Sequence, residues 1–287
     1  MNKVALVKAG EDIEAAVRSS VELVGGLQIS PGKQVVLKPN ICNAKNPYGM
    51  VITDFKIIET AVKMCREKGC EPLVVESDNI SDTGDNRVRG SGLMKLLDEW
   101  NVNFLNLSKD EGISKPVAGT EIMIPKTMIE ADYVINLAKI KTCSHTLVTL
   151  SIKNLYGCFQ ETKKSRLHKK LDEVLPFLAK TIRSDMNIMD GNICMEGNGP
   201  VIGNAKKMGA IIAGDNPVSV DAFCSTLMGY NPREIKHISN SADLGIGSLN
   251  FESVGDQWQS HISSFEKPFS LRATMKSLGT IKDVYIG

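Results

Sequence analysis

The 287 residues contain no G-x-G-x-x-G dinucleotide loop, no G-x-x-x-x-G-K-[ST] phosphate loop and no G-x-S-x-G elbow. The usual nucleotide-cofactor enzymes are therefore poor fits. No C-x2-C pair occurs among the seven cysteines, at 42, 65, 70, 143, 158, 194 and 224. That excludes a zinc ribbon or a ferredoxin-type cluster loop, and the odd count in a long chain reads as reduced cytosolic thiols. Long apolar runs are missing too. The chain enters Val4-Ala5-Leu6-Val7 directly after Lys3, short of the roughly 7–15 apolar residues of a secretory signal and the ~20 of a membrane span. The expectation is a cytoplasmic protein with no membrane contact. Charge of one sign is also absent: 34 basic against 33 acidic side chains leave a net +1. Nothing in that balance would collect nucleic acid, so no nucleic-acid partner is expected.

What the chain does have is alternation. Val4–Lys8, Gln34–Leu37, Pro72–Glu76, Asn103–Leu107 and Tyr133–Leu137 read as strands. Glu11–Gly26, Phe55–Lys68 and Leu93–Trp100 carry apolar residues at helical spacing between them. Such an order predicts an α/β fold: a doubly wound, mostly parallel sheet with helices on both faces, Rossmann-like without the dinucleotide fingerprint. The second half continues with a helix over Leu167–Ile182, strands at Met186–Met189 and Met208–Ala213, helices over Pro217–Met228 and Glu234–Leu244, and a last strand at Glu252–Val254. Asp215 or Asn216 is the natural cap of the Pro217 helix. With no repeat and no low-complexity linker, residues 1–287 read as one domain, less regular over the tail 257–287.

In an open α/β sheet ligands bind beyond the carboxyl ends of the strands, so the residues after each apolar run are the candidates. Lys38 and Asn40 follow one strand, and Glu76 ends the next. Lys139, Lys141, Cys143 and His145 follow Tyr133–Leu137, and Asp190, Glu196 and Asn198 follow Met186–Met189. An ammonium beside an apolar strand is costly unless paired. Each lysine either neutralises a carboxylate such as Glu76 or Asp190, or contributes to an electropositive pocket for a carboxylate or phosphate. Lys141 with a lowered pKa could also serve as base or Schiff-base nucleophile. His145 is the natural proton carrier, since its ordinary pKa lies near neutrality. Cys143, two residues before it, suits a soft metal or a nucleophile–base pair. Lys153 and Asn154 open a short helix, a further anion contact. Asp190 and Glu196 flank a glycine-rich turn and suit a divalent metal or an acid/base pair, with Asp221 within reach one turn into the Pro217 helix.

Five blocks in order resemble a known family. They are Lys38-Pro39-Asn40; Lys139-Ile140-Lys141-Thr142 with His145; Thr149 through Gly157; Asp190-Gly191 with Glu196-Gly197-Asn198-Gly199-Pro200; and Asp215-Asn216-Pro217-Val218-Ser219-Val220-Asp221-Ala222. Together they resemble the family called domain of unknown function 362, over roughly residues 3–256. The resemblance implies an α/β fold whose biochemical role is mostly unassigned. Many members carry a ferredoxin-like iron–sulfur segment. This chain lacks that cysteine run, so no cluster is expected within it, although a ferredoxin-like redox partner could supply one.

Three readings follow. The first is an enzyme acting on a small anionic metabolite held by Lys38, Asn40, Lys139, Lys153, Asn154 and Asn198, with His145, Lys141, Asp190 and Glu196 as its chemical groups. The second is a metal- or cluster-binding redox accessory protein using Cys42, Cys143, Cys158 or Cys194 with His145. The third is a non-catalytic module that holds a ligand or partner.

Overall fold

The computed structural model of the chain describes residues 1–286. Its strands are β1 (Asn2–Lys8), β2 (Val35–Pro39), β3 (Pro72–Glu76), β4 (Phe104–Asn106), β5 (Gly112–Val117), β6 (Thr120–Pro125), β7 (Tyr133–Cys143), β8 (Leu147–Thr149), β9 (Met186–Glu196), β10 (Asn204–Gly214) and β11 (Phe251–Gly255). One sheet runs in the order β11-β1-β10-β9-β7-β2-β3-β4, with β8 added to the end of β7. Parallel pairing joins β9, β7, β2, β3 and β4, while β10 lies antiparallel between β1 and β9. The expected mostly parallel sheet is what forms, with β10 and β8 as the reversed strands.

Helices cover both faces. The helices α1 (Ile13–Leu23), α2 (Phe55–Glu67), α3 (Gly84–Gly90) and α4 (Leu93–Glu99) pack their apolar residues onto Val35, Leu37, Ile135 and Leu137. On the other face lie α5 (Lys126–Glu130), α6 (Ser151–Asn154), α7 (Leu171–Thr181), α8 (Pro217–Leu227) and α9 (Lys236–Asp243), against Val36, Val134, Ala138 and Ile140. Successive strand side chains point to opposite faces, so a strand apolar at every position must be covered twice. That is the run-on pattern of Val35–Leu37 and Val134–Ile135. Caps fall where the side chains permit them: Asp12 accepts from Ala15 N, Asp54 from Lys56 N, and Asn216, not Asp215, from Val218 N and Ser219 N.

The central strands run further than their apolar stretches suggest. Tyr133–Leu137 continues to Cys143, and Met186–Met189 continues to Glu196. Lys139, Lys141, Asp190 and Glu196 are therefore strand residues and do not sit in loops beyond the strands. The reason is register: β7 pairs with β9 through Lys139↔Asp190, and the two side chains neutralise each other inside the sheet. The hairpin β5–β6 carried no sequence expectation. The tail, expected to be irregular, contains α10 (Leu271–Ile281). Its buried face is made by Ala273, Ser277 and Thr280, whereas Leu271, Met275 and Leu278 are exposed. Hydrophobic periodicity is a poor guide to a helix that turns its small residues inward. No helix among the described residues is long and apolar enough to cross a membrane.

The chain passes outward from β2 to β3 and β4, then returns to place β7 on the other side of β2. This reversal between β2 and β7 is the topological switch point, where carboxyl-end loops diverge and leave a crevice.

Candidate functional site

A cavity of about 290 Å³ opens at that point, over the carboxyl ends of β2, β3 and β7. Lys38, Asn40, Glu76, Lys141, Cys143, His145, Lys153 and Asn154 all reach its wall. So do Arg87 from α3, and Lys164 and His168 from the segment before α7. The volume suits a small metabolite.

Among the lining residues the cations are Lys38, Arg87, Lys141, Lys153 and Lys164, and the carboxylate is Glu76 alone. Lys38 is neutralised: its Nζ lies 2.9 Å from Glu76 Oε2 and donates to Pro39 O at 2.6 Å. Burial works to raise the Glu76 carboxyl, but the Lys38 and Arg87 cations override it and hold the group below its ordinary range. Gly157 is where this pair needs room. A Cβ there would stand 2.9 Å from Glu76 Oε1 and 3.0 Å from Lys38 Nζ.

Lys141 is different. Its ammonium, fully buried, donates to Asn40 Oδ1 and Val51 O at 2.8 Å each and to Cys42 Sγ at 3.3 Å. Asn40 Nδ2 donates to Asn154 Oδ1 at 2.9 Å, and Asn154 Nδ2 donates in turn to Lys38 O and Asn136 Oδ1. The asparagines thus lock the floor of the cavity through a fully satisfied buried network. Lys153 is half-buried with its Nζ 4.1 Å from the Tyr156 ring centroid. Burial and the neighbouring Lys141 lower its pKa, partly offset by the Cys143 and Cys42 sulfurs.

Lys164 donates to Ser77 Oγ and, at 3.0 Å, to Asp78 O. Burial, aided by Arg87 and Lys38 against the opposing pull of Glu76, brings its pKa down to about 7. Arg87 is 2% exposed and gives its terminal nitrogens to Ile41 O and Ser77 O. Its Nε has no partner among the described residues.

At the mouth, the His145 and His168 rings meet at a tilt of 47° with centroids 4.1 Å apart. Burial, with His145 and Lys153 nearby, pushes His168 down to about 4. Cys143 ends β7. Burial would raise its thiol, but a hydrogen bond with His145 and the Lys153 charge outweigh this and bring it to about 6.

Several expected site residues lie elsewhere. Lys139 and Asp190 form a closed buried pair at 2.7 Å, and Asp190 also accepts from Asp54 N at 2.9 Å. Neither lines the cavity. Glu196 meets Lys206 at 2.9 Å and borders a separate recess beside α10. Asn198 accepts from Phe269 N and donates to Ser277 Oγ, tying down the C-terminal segment. Asp221 accepts from Ser151 N at 2.7 Å and Ile152 N at 2.9 Å, and burial raises its carboxyl to about 8. It holds α6 in place. The structure does not bring Asp190, Glu196 and Asp221 together as a metal set, and no group of three or more His, Cys, Asp or Glu able to hold an ion occurs among the described residues.

The Glu196–Pro200 turn still contributes to the site. Ser144 N donates to Gly199 O at 3.1 Å, and a Cβ on Gly199 would meet Thr142 O at 2.0 Å. Only glycine allows this approach, which brings Pro200 and Val201 to the cavity wall. Sequence reasoning places Arg87 in the polar stretch after the Glu76 strand without giving it a role, and passes over Lys164 and His168 as site residues. Their positions depend on segments that fold back from α3 and from before α7, and local pattern gives no sign of that.

Comparison with known proteins gives the chain a family and a relative. Residues 35–226 match the family described as Domain of unknown function (DUF362). The chain is also 25% identical over 291 residues to a thylakoid-associated protein of Synechocystis sp., covering 95% of this chain and 90% of that protein.

Proposed function

Since the chain belongs to the domain of unknown function 362 family, whose description names no activity, we propose from the cavity that the protein is an enzyme acting on a small metabolite bearing a carboxylate or phosphate. The carrying observation is the charge imbalance of the wall: five cationic side chains stand against the single carboxylate of Glu76, which Lys38 already neutralises. Lys141 and Lys153 have no carboxylate partner, and a buried cation without one favours an anion as guest. In this reading Lys141 and Lys153 hold the anion, Asn40 and Asn154 set the lysine geometry, and His145 carries the proton. The closed pair Lys139–Asp190 supports the sheet from outside the site.

Thermal-shift titration with inorganic phosphate, succinate and 3-phosphoglycerate tests it. A ligand at one hundred times its Kd stabilises by about 2.7 kcal/mol. We expect stabilisation by at least one anion, lost in Lys141→Met/Lys153→Met. A ligand whose effect survives that double change, or no response to any anion, would count against the reading. Binding without turnover would leave a non-catalytic module. The redox alternative, with a ferredoxin-like partner, has less support, because Cys158 and Cys194 are packed in the core and no group of three or more His, Cys, Asp or Glu able to hold an ion occurs among the described residues. The reading keeps the protein in the cytoplasm. Association with thylakoids, as the name of the Synechocystis relative states for that protein, is the alternative that cell fractionation decides.

A further inference from the structure

We propose that Cys143 is a thiolate nucleophile and that the guest of this cavity is a small anion carrying an electrophilic carbonyl group. The substrate class rests on the anion-binding reading above; the nucleophile does not. Cys42 and Cys143 are the cysteines on the cavity wall. Of the others, Cys65, Cys158, Cys194 and Cys224 are buried where desolvation raises their thiols. Cys143 is also buried, at 1% exposure, but it borders the cavity, and there the His145 hydrogen bond and the Lys153 charge outweigh the effect of burial. It closes β7 where the chain reverses into β8, with Cys143 paired to Leu147. The three intervening residues include His145, which lines the same cavity, and Leu147 holds a positive φ of 65° to complete the reversal. The pairing of Cys143 with Leu147 keeps thiol and imidazole on one short hairpin.

The lining charges fall into two groups. Lys164 interacts with Glu76, Arg87 and Lys38, whereas Lys153 interacts with Cys143, Lys141 and Cys42. The second group places a positive field on the sulfur, which favours thiolate. Arg87 also lines the cavity, and its terminal nitrogens are taken by Ile41 O and Ser77 O.

The step is a simple addition. The thiol proton passes to His145, and the sulfur pair forms a C–S bond to the carbonyl carbon. The C=O π pair moves to oxygen, which takes the proton back from His145. The product is a thiohemiacetal, with every atom retained and no oxidant required. Lys153 and Lys141 steer the anionic end.

Alkylation of the full-length protein, read by peptide mass mapping from pH 5 to 9, is the test. With iodoacetate we expect Cys143 to be labelled first, with a midpoint near the value of about 6 that its surroundings set. At pH 6 its rate should exceed that of an ordinary cysteine about tenfold, after allowance for the lower basicity of its sulfur. Iodoacetate should outpace neutral iodoacetamide at this residue. Lys153→Met should remove that preference, and His145→Asn should move the midpoint upward. Glyoxylate labelled with carbon-13 should give a thiohemiacetal resonance that Cys143→Ser, checked for folding by circular dichroism, abolishes.

A Cys143 inert in the native protein, or titrating near 8.5 as a free thiol does, would overturn the proposal even if phosphate binds. An activated Cys143 in a protein that ignores every anion would uphold the nucleophile and overturn the substrate class. Labelling without a glyoxylate adduct would likewise overturn the substrate class.

Discussion

Lys141 Nζ stands 3.3 Å from Cys42 Sγ, fully buried, with amide and carbonyl oxygens but no carboxylate around it. Two residues earlier on the same strand, Lys139 is held 2.7 Å from Asp190. One lysine is neutralised by a carboxylate; the other is held by neutral acceptors alone.

The closed Lys139–Asp190 pair and the carboxylate-free Lys153 predict opposite outcomes for two lysine substitutions. Lys139→Met strands the fully buried Asp190 carboxylate and should cost about 3–5 kcal/mol. Lys153→Met loses a contact with the Tyr156 ring but no hydrogen bond to a carboxylate, and should change stability by less than about 1 kcal/mol. Anion binding should be lost in Lys153→Met. Urea denaturation and the thermal-shift titration separate the two effects.

Lys164 ties stability and binding to pH in opposite directions. With a folded pKa of about 7 against an unfolded value near 10.5, the unfolded chain holds more protons between those values. The contribution of Lys164 to stability therefore rises with pH across that window. Lys164 is one of the five cations on the cavity wall, so the affinity for an anion held by Lys141 and Lys153 should weaken as Lys164 loses its proton above pH 7, by less than about tenfold per unit. Lys164→Met should flatten both curves. A ligand affinity unchanged from pH 6 to 9 would contradict the involvement of Lys164.

Gly157→Ala places a methyl group against the Lys38–Glu76 pair, at 2.9 Å from Glu76 Oε1. Overpacking of a closed buried site should cost about 1–3 kcal/mol. Calorimetric Tm is the measurement, and Gly10→Ala, where nothing lies within 4 Å of the added carbon, is the control.

Asp221→Ala leaves the Ser151 and Ile152 N–H groups buried without acceptors, a loss of about 1–3 kcal/mol for each. Because α6 carries Lys153 and Asn154 into the cavity, anion affinity should fall in the same variant. A destabilised protein that binds phosphate at full strength would show that α6 keeps its place without Asp221.

The alternation of apolar strands and periodic helices was enough to read the sheet and the faces that bury it, because burial on both sides leaves a run such as Val35–Leu37 no polar position. The same reading located the crevice, and Lys38, Asn40, Lys141, His145, Lys153 and Asn154 do meet there. What local pattern could not decide was pairing. Whether a lysine faces Asp190, Glu76 or an empty space depends on which strand lies beside it, and that follows from the order of β2, β3, β7 and β9. Tertiary folding alone closed the Lys139–Asp190 pair, turned Asp221 into a cap and brought Arg87 and Lys164 from distant segments to the wall. Chain chemistry supplied the charges; the geometry of the sheet chose which of them stayed unneutralised.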